Sequence, residues 1–424
     1  MNTEKYFSEC IRSIADIVRY DSSQAPALPD MPFGKGAADA LNFFLKLAES
    51  MGFETHNYDN YAGEVIFGEG EEFAILCHLD VVPAGSGWSH DPFGGEICEG
   101  KLFGRGTMDD KGPAVICLYC LKALKDDGFV PKKKIKLIVG CNEENGWECI
   151  AHYNRAAHMP KIGFSPDADF PAIWAEKGIL QLLLRFPLKK PPFCKLYGGE
   201  RPNMVCERAT AEGAKVDAAL AEKCGVSHTE NAITAVGKSA HASTPEKGDN
   251  ALRKLLGYFA RQSEEIADVY EILFEDGLKI KDLKDETGPL TFSPNVADFE
   301  NGTLCVTADV RYPATLKREE IEEKFRRAGV SFEALHCQEP LYNDKNSFLI
   351  STLCKVYEEQ TGLDGTPIAI GGGTYARALE CGAGFGPQFP NEPSTIHQKD
   401  EYISLENAEK LLRIYYHAIR ELTK

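Results

Sequence analysis

The sequence predicts an α/β protein: a mixed, mostly parallel sheet with helices on both faces, interrupted by an α+β lid domain. Three observations carry this expectation. Short apolar runs bounded by turns alternate with helical periodicity through the first third, as successive strand–helix–strand units do. The middle of the chain changes to strands in hairpin-like succession. Helix–strand alternation then resumes and runs to residue 424. At about 150 residues per domain, a chain of 424 residues makes two or three domains. The pattern places one discontinuous catalytic domain over 1–178 and 342–424 and the inserted lid over 179–341.

Taken in order, Tyr6, Phe7, Cys10, Ile11, Ile14, Ile17 and Val18 recur at helical spacing and predict an amphipathic helix. Glu4, Lys5, Glu9, Arg12, Asp16 and Arg19 interrupt the apolar stretch that a secretion signal needs. GAADALNFFLKLAESMG reads as a helix ended by Gly52, FAILCHL (73–79) as a buried strand and GPAVICLYCLKALKDDG as a helix. Pro113 lies near the start of that helix, where proline is tolerated. KIKLIVGCN (134–142) is a second buried strand. In the insert, ILQLLLRF and AITAVGK are strands and NALRKLLGYFARQ is a helix. NVADFE and TLCVTADVRY form a hairpin through Asn301-Gly302, a pair that tolerates the positive φ of a tight turn. Along the second of these strands Leu304, Val306, Ala308 and Val310 face one way, and Thr303, Thr307, Asp309 and Arg311 face the other, away from the core. NSFLISTLCKVYEEQTG resumes the alternation, and SLENAEKLLRIYYHAIRELT ends it as a helix with Ser404 as N-cap.

With 47 Lys+Arg against 64 Asp+Glu, the net charge of −17 argues against nonspecific binding to nucleic acid or anionic membranes. No apolar run is long enough to span a bilayer. The fourteen cysteines are scattered through a chain without an export signal, so a disulfide framework is not expected and a reducing cytoplasm is. The one C-x-x-C, Cys117 to Cys120, lies in an apolar helix, which predicts core packing and not a redox or zinc site.

Four segments hold the residues able to do chemistry. In CHLDVVPAG, His78 and Asp80 are two apart at a strand end and point the same way; a histidine ligand needs its other ring nitrogen held, and Asp80 can hold it. GRGTMDDKGP sets two adjacent aspartates in a glycine-rich turn, where their mutual repulsion calls for a cation. GCNEENG places Glu143 and Glu144 directly after a strand, so one can ligate while the other handles protons. The fourth group is Asp167 in FSPDADFP with His397 in STIHQKDEYI. Alone, each segment fits a plain structural role better: a strand-end His–Asp pair, solvated loop aspartates, an acidic turn, a structural histidine. Together they make two histidines and several carboxylates, a donor set suited to borderline or hard divalent ions.

H-x-D, then G-R-G-x-x-D-D-K-G, then E-E, then P-D, then a late histidine, in this order, resembles the dinuclear metallopeptidase family of aminoacylases, glutamate carboxypeptidases and cytosolic dipeptidases. The intervening text, including GWSHDPFGGEICEGKLFGRGTMDDKGP, GGERPNMV, GKSAHASTPEKGDNAL and GGGTYAR, is most similar to its bacterial PepV-type Xaa-His dipeptidase branch. The resemblance runs along essentially the whole chain. It implies that His78 and Asp167 hold one divalent ion, Glu144 and His397 the other, and Asp109 both; zinc is the expected metal, with manganese or cobalt as alternatives. It implies further that Asp80 orients His78, that Glu143 is the general base, and that His241 of the insert polarises the scissile carbonyl. Asn203, Arg311 and the backbone of Gly371, Gly372 and Gly373 are implied to bind substrate, and the peptide bond between Asp109 and Asp110 is implied to be cis. From the residues themselves, an arginine on the polar face of a strand can grip a carboxylate bidentately, and consecutive glycines let N–H groups approach an anion. Two positions depart from the pattern: Asn142 where many relatives have aspartate, and Cys206 where proline is expected. The function implied is hydrolysis of dipeptides by a monomer or homodimer in the cytoplasm. The alternatives are deacylation of N-acyl amino acids and, from another class, a non-catalytic peptide-binding relative.

Overall fold

The computed structural model describes residues 3–424, with side chains from Lys5 onward. The chain falls into two compact units, one of Met1–Trp174, Asn343–Ile368 and Thr374–Lys424, the other of Ala175–Tyr342 with Ala369–Gly373. The division comes four residues before the expected 178/179 boundary. It also corrects one assignment: Gly371–Gly373, expected with the flanking domain, group with the inserted unit.

In the first unit the sheet runs Glu54–Tyr58, Ala62–Phe67, Lys133–Gly140, Glu71–His78, Ile162–Ser165, Cys381–Gly384. Its centre is parallel: Glu71–His78 pairs in that sense with Lys133–Gly140 on one side and Ile162–Ser165 on the other. The edge at Ala62–Phe67 and Glu54–Tyr58 is antiparallel. Phe73, Ala74, Ile75, Leu76 and Cys77 are all buried, so both faces of the central strand are covered. Adjacent residues of Ala62–Phe67, one strand in from the edge, show the two layers. A Cβ on Gly63 would meet Leu41 and Leu45 of the helix Lys35–Ser50, whereas Glu64 accepts the hydroxyl of Tyr153 from the helix Glu148–Ala156.

The helices begin and end where the sequence indicates. Thr3–Val18 buries Tyr6, Cys10, Ile11, Ile14, Ile17 and Val18. Lys35–Ser50 closes through Gly52, whose φ of 79° lets its N–H reach the carbonyl of Glu49. Ser404 caps Leu405–Thr423 by accepting from Asn407 N. Cys117 and Cys120 lie in the core of the helix Lys111–Asp126, and all fourteen cysteines are free thiols. Among the described residues, no helix is long and apolar enough to cross a membrane.

The second unit is an antiparallel eight-stranded sheet in the order Ser227–His228, Ala232–Val236, Arg208–Glu212, Lys195–Gly198, Thr291–Glu300, Thr303–Tyr312, Gly178–Pro187, Ser331–Gln338. One face buries Leu180, Leu182, Leu184, Leu304, Val306, Ala308 and Val310 in a core completed by the helices Ala251–Ala260, Glu264–Phe274 and Arg318–Arg327. The hairpin turns at Asn301 and Gly302 with φ of 50° and 79°, and Pro294 sits where the register of its first strand shifts, a place where a missing N–H does no harm. Alternation placed Asp309 and Arg311 opposite the apolar face; that face is nevertheless covered, and both side chains are buried, which corrects the expectation of an outward-facing arginine.

Candidate metal centre and active site

Parallel strands deliver side chains to one edge of a sheet, and here three neighbours do so. Glu71–His78 ends on His78, whose register partner is Gly140, so His78 and the turn Asn142–Glu144 leave the sheet side by side. Ile162–Ser165, on the other flank, leads to Asp167. Asp109 stands just before the helix Lys111–Asp126 that connects the first two strands. His397 comes from the loop ahead of Tyr402–Ser404, held at a φ of 60°.

Asp109 lies at the centre. Its Oδ1 is 2.8 Å from Nε2 of His78, and its Oδ2 is 2.8 Å from Nε2 of His397. Glu144 Oε1 is 3.0 Å from the same His397 nitrogen, and Asp167 Oδ2 is 3.6 Å from His78 Nε2. The five candidate ligands thus form two subsets that share one aspartate, each subset holding one histidine and one further carboxylate. One ligand atom each from His78, Asp109 and Glu144 lies within 4.8 Å of the others.

Around these donors the backbone is tightly held. Asp80 is adjacent to His78, but the acceptor for His78 Nδ1 is the Asp80 backbone carbonyl at 2.9 Å. The Asp80 carboxylate is 3.6 Å from that nitrogen and accepts instead the N–H groups of Glu143 and Glu144, at 2.9 and 3.1 Å. It therefore fixes the turn carrying the glutamate pair as much as the histidine. The Asp109–Asp110 peptide is cis, and Asp110 turns away to accept His78 N–H at 3.1 Å. A Cβ on Gly112 would lie 2.0 Å from the carbonyl oxygen of Thr107, so the first turn of the helix admits only glycine there.

Two supporting residues escaped the sequence reading. Glu401 is fully buried; it accepts from Arg105 Nη1 at 2.5 Å and from the backbone N–H groups of Gly106, Met108 and Asp109 at 3.0, 2.9 and 3.3 Å. One carboxylate thus templates the whole turn that presents Asp109. Trp147 donates its indole N–H to Glu143 Oε1 at 3.1 Å, and its ring meets Tyr375 edge-on. Nothing local betrays Glu401, whose partners lie almost three hundred residues away. Trp147 is one of only three tryptophans and stands beside the glutamate pair, a signal that was available.

The electrostatics show what this set demands. Burial opposes a charged His78 or His397, yet the carboxylates of Asp109 and Asp167 for the first, and of Asp109 and Glu144 for the second, outweigh it and pull both rings up, His397 to about 11. Burial and the charge of Asp109 push Glu144 up to about 7 and raise Asp167. Burial also raises Glu143, while the two histidines hold Asp109 far below the usual carboxylate range despite its burial. The cluster gathers more negative charge than its surroundings neutralise and draws in positive charge. Divalent cations among imidazole and carboxylate donors meet the same demand, so the residues fit the metal that the motif order implies.

The remaining candidates stand on the second unit and converge there. Met204 and His241 form a β-bridge, and Ala242 N–H donates to the carbonyl of Asn203, which sets Asn203 beside His241. Ser243 N–H points at Nδ1 of His241, 3.2 Å away, so a neutral ring keeps its proton on Nε2. Thr291, whose hydroxyl is 3.5 Å from Ala242 O, is the register partner of Arg311. Arg311 in turn donates to Gly371 O at 3.1 Å, and a Cβ on Gly371 would come within 2.9 Å of Ser243 Cβ.

Comparison with known proteins agrees with this organisation. Residues 74–421 match the model of Peptidase family M20/M25/M40. The chain is 37% identical to the putative dipeptidase YtjP of Bacillus subtilis, over 98% of this chain and 97% of that protein. It is 36% identical to the Beta-Ala-Xaa dipeptidase of Lactobacillus delbrueckii subsp. lactis, over 98% and 96%. Human carnosine dipeptidase 1 has a similar fold at a TM-score of 0.60 and 12% identity, covering 99% of this chain and 97% of that one. Aminopeptidase PepT from Bacillus cereus superposes at 0.59 and 15% identity, with 100% of both chains covered. The mixed α/β chain, with a donor set that could hold a metal ion, belongs to peptidase family M20/M25/M40 and is a hydrolase of peptide bonds.

Proposed function

We propose that the protein is a metal-dependent dipeptidase in which His78 and Asp167 hold one divalent ion, Glu144 and His397 a second, and Asp109 both, with zinc the metal that two imidazoles and three carboxylates suit best. The observation that carries this reading is the placing of the two Asp109 oxygens, each 2.8 Å from a different histidine. Divalent ions at such a site acidify water and polarise a carbonyl. Glu143 ligates neither ion and accepts a proton from the attacking water, then passes it to the leaving amine. Its burial favours the protonated form that this shuttle requires, and the Trp147 N–H holds the carboxylate in place. His241, protonated on Nε2, donates to the carbonyl oxygen as negative charge develops there. Asn203, Arg311 and the Gly371–Gly373 backbone hold the substrate. These groups stand on one unit and the metal donors on the other.

The curated relatives named as dipeptidases support dipeptides over N-acyl amino acids as substrates. The test is hydrolysis of Ala-Ala, β-Ala-His and acetyl-alanine by protein of measured metal content, with and without Zn²⁺ or Mn²⁺. Metal-dependent turnover of the dipeptides is expected. Turnover of acetyl-alanine alone would identify a deacylase, and metal binding without turnover of any substrate would identify a binding protein.

A further inference from the structure

We propose that Asp309, assisted by Gln181, is a positioning and specificity-determining residue that occupies the side edge of the Arg311 guanidinium and leaves its end pair of N–H groups to one unsubstituted substrate carboxylate. The inference rests on the dipeptidase reading, which gives Arg311 the substrate carboxylate, and adds how that arginine is made selective.

Asp309 and Arg311 are two apart on the strand Thr303–Tyr312, so they share a face. Asp309 Oδ1 accepts from Arg311 Nε at 2.5 Å and Oδ2 from Nη2 at 3.0 Å, a bidentate grip on one edge of the guanidinium. Gln181, the register partner of Asp309 on the adjoining strand, donates to Oδ2 at 3.1 Å and fixes the carboxylate. Nη1 donates to Gly371 O at 3.1 Å. A guanidinium has five N–H groups, and three are thus placed among the described residues. One N–H remains on each terminal nitrogen, and N–H groups of this kind can take the oxygens of a carboxylate.

Arg311 is only 4% exposed and Asp309 is fully buried, so the guanidinium cannot swing to meet ligands of other shapes. Asp309 also cancels its charge, and what remains is directional hydrogen bonding with little general attraction for anions. Gly371, Ser243 and His241 are tied to the same cluster. The group that takes the substrate's carboxylate and the group that faces its scissile carbonyl therefore ride on one body, which sets the distance between them and selects for short peptides.

The test compares Ala-Ala with its C-terminal amide in the metal-loaded enzyme. The wild type is expected to favour the free acid through KM. Asp309→Asn keeps the side-chain volume but loses the charged fork, and is expected to raise KM for Ala-Ala on the order of tenfold while leaving kcat and the kinetics on the amide nearly unchanged. Arg311→Ala is expected to raise KM for Ala-Ala more strongly still, with a smaller loss on the amide. Equal losses on both substrates in Asp309→Asn, or a fall in kcat at constant KM, would show a merely structural role and overturn the proposal. If Asp309→Asn is inert in this comparison while Arg311→Ala is selective, only the role of Asp309 falls. If Arg311→Ala affects acid and amide alike, the carboxylate reading of Arg311 falls, and this proposal with it. Should Asp309→Asn fail to fold, Gln181→Leu is expected to shift the same ratio by a smaller factor, and an unchanged ratio there counts against the proposal.

Discussion

The two charged clusters of this protein are built on opposite electrostatic plans. At the carboxyl edge of the parallel sheet, Asp109, Glu144 and Asp167 converge on His78 and His397 with too little positive charge among them, and both histidines are pulled upward as a result. On the antiparallel sheet, Arg311 carries its own counter-charge in Asp309, and the pair is closed before any ligand arrives. An open cluster favours a cation among its carboxylates. A closed one offers only shape and direction. On the proposed reading, the difference would separate reactivity from selection, each on its own unit.

That contrast can be broken most decisively by removing metal. Activity is expected to vanish with EDTA and to return with Zn²⁺, Mn²⁺ or Co²⁺; full activity in a sample shown to be metal-free would mean that the open cluster is balanced in some other way. Next in size is Glu143→Ala, expected to lower kcat by about two to four orders of magnitude, as loss of a general base does, with metal content unchanged. Metal loss in this variant, with retention in Glu144→Ala, would exchange the roles of the two glutamates.

A smaller effect is expected from the scaffold of the open cluster. Glu401→Ala removes a buried carboxylate from Arg105 and three backbone N–H groups, and is expected to destabilise folding by about 3–5 kcal/mol. Denaturant unfolding measures this, and a stability near that of the wild type would deny Glu401 its templating role. The mildest change is Trp147→Phe, which keeps an aromatic side chain, though a smaller one, and removes the hydrogen bond to Glu143. A fall in kcat of about tenfold with little change in KM is expected, because the lost bond holds the proton carrier and not the substrate. An altered KM alone would place Trp147 in substrate binding.

The sequence by itself determined the central parallel sheet, the hairpin at Asn301-Gly302, the caps at Gly52 and Ser404, and the order of the metal-ligand candidates, because each is encoded in a short window. Strand ends, turn glycines and capping residues are local chemistry, and a side chain that follows a buried strand must emerge at the sheet edge. Only the tertiary structure decided which groups meet. It put the backbone carbonyl of Asp80, and not its carboxylate, on His78, and brought Glu401 to the turn 104–109 across almost three hundred residues. It also covered the face that holds Asp309 and Arg311. Alternation along a strand assigns a residue to a face, but whether that face meets water depends on what packs over it. A strand pattern could therefore place Arg311 opposite Leu304 and Val306 and still say nothing of its burial, its fork on Asp309 or its bond to Gly371. Such partners are chosen by distances through space, and no window of sequence contains them.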